Sequence, residues 1–240
     1  MAGWHSCDVT PPGGLLNAIA DARAELIALC ERGLEWRSDW PNRRADATAL
    51  RPAAVLVLFG VLDAVPARTG GAVPGDLDVL LLRRAATLGS HAGQIAFPGG
   101  RLEASDSGPI AGALREAYEE TGVEVDGIEP LGTLPPMPVP VSRHLVTPVP
   151  AWWTRPSEVA AVDHDESVDV FRVPVAEMLD PANRAITQLT FSGRTYRSPA
   201  FTVGGRLVWG VTALVLARMF DELGWAEPWN HERIVEPDDL

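Results

Sequence analysis

The chain has 240 residues, 46% of them hydrophobic and 22% charged, a balance that suits one folded domain with terminal additions. Its net charge of −12, with every one of the 20 basic residues an arginine, argues against broad nucleic-acid or anionic-membrane binding. A small anionic ligand stays open, provided metal ions or local arginines neutralise it.

Residues 14–33 carry apolar side chains at helical spacing and stop at Gly33, which predicts an amphipathic N-terminal helix. A polar connector follows, and residues 1–49 are expected to form a helical extension to the main domain. The run "AAVLVLFGVL" (53–62) predicts a buried strand, because it is short, continuous and rich in β-branched residues. A Pro- and Gly-bearing loop leads to a second strand at 77–85, and "GQIAFPGG" (93–100) predicts a third, closed by its glycines. Ser107 is placed as the N-cap of a helix with Pro109 in its first turn, ending at Gly122. Strands are expected in "IEPLGTLPP", "HLVTPVPAWW" and "SVDVFRVPV", then a short helix or turn at "VPVAEMLD". A hairpin through Gly204 and Gly205 precedes a closing helix over 212–223, and a polar tail over 226–240 is expected to fray. The main domain therefore spans 50–225, an α/β fold with a mixed sheet. Trp152, Trp153 and Trp209 are read as packing residues.

Cys7 and Cys30 show no CxxC or metal-ligand spacing and are expected to be free thiols. The N-terminus lacks a basic region followed by an apolar one, and the longest apolar runs fall short of the ~20 residues that span a bilayer. A soluble, cytoplasmic protein is the expectation.

The chemistry concentrates in "ALREAYEETGV" (113–123). Glu116, Glu119 and Glu120 stand at i, i+3 and i+4, on one side of a helix and at its negative end. Each acid there opposes the helix dipole and its neighbours, and a divalent cation would relieve both conflicts. Mg²⁺ prefers oxygen ligands and keeps several waters, so a few carboxylates plus substrate phosphates suffice. Arg115 is spaced to pair with Glu119 or to reach a phosphate. The preceding glycines of "FPGG" let backbone approach a metal or phosphate closely. A solvated acidic helix end is the plain alternative.

This pattern of Gly100, Asp106, Arg115-Glu116, Glu119-Glu120 and Gly122 resembles the Nudix box. The Asp at 106, the extra residue between Gly100 and Arg115, and the small Ala117 resemble the coenzyme A diphosphatase branch. So does the upstream "RRAATLGSHAGQIAFPGG", matching at Arg84, Leu88, His91, Gly93, Gln94, Ile95 and Phe97 to Gly100, with Ala85 where the branch has Ser. Further resemblance runs through "VSRHLVTPVPAWW", "DESVDVFRVPVAEMLDP" and "LVWGVTALVL", so that residues 50–222 are covered.

The resemblance implies an α/β/α sandwich and Mg²⁺- or Mn²⁺-dependent cleavage of coenzyme A or acyl-coenzyme A to 3′,5′-ADP and (acyl-)4′-phosphopantetheine. Glu116, Glu119, Glu120 and the Gly100 carbonyl are the implied metal ligands. Arg84, His91, Gln94, Gly99 and Gly100 are the implied substrate contacts, although His91 fits equally well as a structural loop histidine. Glu119, Glu120 and Glu166 compete for the role of general base, and Glu166 in "VDHDESVD" also reads as part of a solvated acidic run. A homodimer is compatible with the resemblance. The rival readings are another nucleoside diphosphate substrate (ADP-ribose, NADH or a dinucleoside polyphosphate) or a nucleotide-binding sensor without catalysis.

Overall fold

Strand β1 (Arg51–Val61) is buried on both faces, and the layering follows from that. Ala53, Val57 and Phe59 enter one hydrophobic cluster, while Ala54, Leu56 and Leu58 enter another. Alternate residues of a strand point to opposite faces, so each face needs its own covering layer. The computed structural model describes residues 12–36, 50–61, 77–85, 93–162, 167–191 and 193–237. On one face lies α2 (Pro109–Thr121), packed through the small residues Ala113 and Ala117. On the other lie α1 (Pro12–Arg32) and α4 (Gly210–Leu223), through Leu26, Leu29, Val215, Leu216 and Met219.

The sheet is mixed, as the sequence predicts. β2 (Leu77–Arg84) runs antiparallel to β1, and β7 (His144–Trp153) runs parallel to it. The hydrogen-bonded order is β3 (Ile95–Ala96), β2, β1, β7, β5 (Ile128–Pro130). Additional pairings join β4 (Gly99–Arg101) to β1, β6 (Met137–Val139) to β7 and β8 (Ser167–Pro174) to β2. After the short α3 (Val175–Leu179), β9 (Arg184–Phe191), β10 (Arg194–Val203), β11 (Arg206–Val208) and β12 (Ile234–Val235) build a second sheet of four strands. The hairpin between β10 and β11 turns on Gly204 and Gly205, at φ 55° and 71°, which is where two consecutive left-handed residues are needed.

Several expectations need correction. The single strand over 93–100 is two: β3 pairs with β2, whereas β4 pairs with β1. Pro98 breaks the run because it has no N–H to donate, and its carbonyl instead accepts from the Leu56 N–H at 2.8 Å. Ser107 is not the cap of α2. Gly108 holds that position at φ 157°, without a side-chain cap bond, and Pro109 follows at the helix start. The strand expected over "IEPLGTLPP" ends at Pro130, and residues 131–136 are irregular. Gly132 is needed there, since a Cβ would lie 2.7 Å from that of Cys30. β9 is absent from the predicted elements. The polar tail does not simply fray, because Ile234 and Val235 pair with Ile186 and Thr187 of β9. Trp152 and Trp153 are buried as expected. Among the described residues no helix is long and apolar enough to cross a membrane.

Candidate functional site

The C-terminal half of α2 lies against the β4 turn, and their contact makes the site. Gly100 faces Glu116 so closely that a Cβ on it would stand 2.4 Å from Oε1 and 2.5 Å from Oε2. Gly99, at φ 154°, leaves no room either: its Cβ would meet the Ala54 carbonyl oxygen at 2.4 Å. Only glycine lets strand and helix approach this far. The Gly99 N–H then donates to Glu120 Oε2 at 2.8 Å, and Glu120 is only 3% exposed. Helical spacing therefore does bring Glu116 and Glu120 to one side, against the turn. Glu119 lies at the rim, with 53% of its side chain exposed.

Arg115 ties these parts together. Its Nη1 donates to Glu116 Oε1 at 3.1 Å and to Glu119 Oε2 at 2.9 Å. Nε and Nη2 reach the two oxygens of Asp106, at 3.1 and 3.0 Å, and Nη2 also donates to the Arg101 carbonyl at 3.0 Å. The sequence reading anticipated the Glu119 pair but missed the two-pronged lock on Asp106, which gathers loop, turn and helix onto one guanidinium. The fork geometry of arginine suits this role and a lysine would not reproduce it. Asp106 also accepts the Glu103 N–H at 2.8 Å. Its hydrogen bonds from Arg115, then the one from Glu103, hold its carboxyl below the usual range, and in return Asp106 raises the affinity of Arg115 for its proton.

The helix end is completed from a distant segment. Gly122, left-handed at φ 68°, donates to the Tyr118 carbonyl at 2.9 Å. The N–H groups of Ala160 and Val162 reach the carbonyls of Thr121 and Glu120 at 3.1 and 3.2 Å. Three carboxylates thus surround one guanidinium at the negative end of a helix, with the Glu120 carboxylate held beside them by the Gly99 N–H, an arrangement with surplus negative charge. Among the described residues no three His, Cys, Asp or Glu side chains converge on a common point as a ready cation cage.

The other predicted residues fall into two groups. Arg84 ends β2, where its N–H donates to the Gln94 carbonyl at 3.0 Å and its carbonyl accepts from the Gly93 N–H at 3.2 Å. Its buried Nε has no hydrogen-bond partner among the described residues. His91 and Glu166 lie outside the described residues. Ser167, next to Glu166, pairs with Arg84 across β2 and β8.

The model of the NUDIX domain family matches residues 64–191, more than half of the chain. "Uncharacterized Nudix hydrolase NudL" of Cronobacter sakazakii is 36% identical over 146 residues, covering 61% of this chain and 75% of its own. The protein of that name from Photorhabdus laumondii is 34% identical over 152 residues, covering 60% and 76%. Among solved structures, a MutT/nudix family protein from Enterococcus faecalis covers 90% of this chain and 76% of its own, at 16% identity and a TM-score of 0.45, a likeness too distant to bear on function. The family match spans both the glycine turn of β4 and the acidic end of α2, so the chain belongs to the NUDIX domain family and is a hydrolase acting on pyrophosphate bonds.

Proposed function

We propose that this hydrolase cleaves the diphosphate of coenzyme A or an acyl-coenzyme A, releasing 3′,5′-ADP and 4′-phosphopantetheine or its acyl form. The observation that carries diphosphate cleavage is the set of three carboxylates around Arg115, with Glu120 beside them on the Gly99 N–H, pressed against a glycine turn. The coenzyme A branch rests on the motif that runs from Arg84 to Gly100.

Among the described residues the donors at the site are hard oxygens with no thiolate or imidazole among them, and this suits Mg²⁺ or Mn²⁺. Glu116, Glu119, Glu120 and the Gly100 carbonyl would hold the ions. When bound, such ions polarise the phosphoryl oxygens and lower the pKa of a water molecule. The protein's own part is positional. Arg115 fixes Glu116 and Glu119 relative to Asp106, and the Gly99 N–H fixes Glu120. Glu119, Glu120 or Glu166 accepts the proton of the attacking water. Preorganised charge of this kind needs little rearrangement as the reaction proceeds.

The test is a product assay with Mg²⁺ or Mn²⁺ and a panel of diphosphates. Formation of 3′,5′-ADP from coenzyme A is expected. Preferential cleavage of ADP-ribose, NADH or a dinucleoside polyphosphate would replace the substrate, and no cleavage of any would refute the proposal.

A further inference from the structure

The side chains of three arginines at one end of the main sheet have no role in the site described so far. The register sets Arg101 of β4 opposite Ala53 of β1, and His144 of β7 opposite Arg51 of β1. Residues two apart on a strand share a face, and so do directly paired residues, so Arg51 and Arg101 leave the sheet on the same side. Arg143 immediately precedes β7, and its carbonyl accepts the Arg51 N–H at 2.9 Å. All three are exposed. Arg23, Arg115, Arg172, Arg206 and Arg218 each pair with a carboxylate, yet none is paired with Arg51, Arg101 or Arg143 among the described residues. In a chain of net charge −12, three neighbouring cations without an acid partner among the described residues are conspicuous.

Arg143 adds an independent sign. At φ 57° it is the one non-glycine residue with positive φ among the described residues. Glycine or asparagine would take that conformation at lower cost, so what arginine adds there is its side chain. The position relative to the carboxylates is equally informative. Arg101 directly follows Gly100, and its carbonyl receives Arg115 Nη2. Successive strand residues point to opposite faces, so with Gly100 facing Glu116, Arg101 emerges on the other side of the same short strand. The Arg101 side chain and the Glu116 carboxylate therefore lie on opposite faces of β4.

We infer that Arg51, Arg101 and Arg143 form a receptor for a phosphomonoester of the substrate, distinct from the diphosphate that is cleaved, and so select nucleoside diphosphates with an additional phosphate on the ribose. This rests on the hydrolase reading of the carboxylate site. Guanidinium groups match phosphate oxygens in pairs and remain charged at any working pH. A terminal phosphate carries more charge than a bridging one, which suits three cations better than one.

Two measurements test it. The first compares hydrolysis of coenzyme A with that of 3′-dephospho-coenzyme A, and of NADPH with NADH. The enzyme should favour the phosphorylated member of a pair at least about tenfold in kcat/KM, through KM, as expected for loss of one charge-assisted contact. In R51Q/R101Q/R143Q the ratio should fall towards one. The second measures binding of 3′,5′-ADP and 5′-AMP by calorimetry, without turnover. The unaltered protein should bind 3′,5′-ADP about tenfold more tightly, and the triple variant should bind both alike. Equal affinities for the two nucleotides in the unaltered protein would overturn the inference even if coenzyme A is hydrolysed. A preference for 3′,5′-ADP without any hydrolysis would uphold it while removing the proposed reaction.

Discussion

Replacing Gly100 by alanine isolates the site from the fold. The new methyl carbon would start 2.4 Å from Glu116 Oε1, whereas ordinary contact begins at 3.4 Å. The carboxylate must therefore retreat by about 1 Å, and a displacement of that size in a reacting site costs on the order of 10²-fold in rate. The fold has less to lose. No positive φ is recorded at Gly100, the obstructing atoms are the far end of a flexible side chain, and Gly→Ala at a compatible position contributes about 0.4–1 kcal/mol by restricting the unfolded chain. Gly99→Ala is the contrasting control, because its φ of 154° is strained for alanine and its Cβ would strike the backbone of Ala54 and Val55. The assay is Mg²⁺-dependent diphosphate hydrolysis alongside thermal melting. Gly100→Ala should lose about 10²-fold in kcat with Tm within about 4 °C, while Gly99→Ala should lose Tm as well. A kcat within threefold of the unaltered enzyme, with a native melt, would refute the placement of Glu116 against the turn.

Glu119→Gln and Glu120→Gln should each remove most turnover at saturating Mg²⁺ while the circular-dichroism spectrum stays native; near-normal kcat in both would exclude this carboxylate set. Mg²⁺ at 100 times its Kd should stabilise the folded protein by about 2.7 kcal/mol, and a Tm indifferent to millimolar Mg²⁺ would contradict ion binding at this site. Because Asp106 titrates below its ordinary value in the folded state, the stability it provides is present above about pH 4 and is lost as pH falls through its folded pKa. Asp106→Asn should flatten that acid limb of the stability profile, and an unchanged limb would remove Arg115 as the cause.

The sequence by itself determined the layers and the acidic end of α2. The continuous apolar run of β1 required a cover on each face, the 3.6-residue period gathered Glu116 and Glu120, and Gly122 ended their helix. These are local rules, acting between residues a few positions apart. Only the tertiary structure decided which strand each half of "GQIAFPGG" would join, since Pro98 passes the chain from β2 to β1. It also decided that Asp106 folds back on Arg115, and that Ala160 and Val162 close the end of α2. The same holds for Arg51, Arg101 and Arg143, which lie on three separate strands or turns. Strand register brings them together, and register is fixed by packing across the whole sheet rather than by any short stretch of chain.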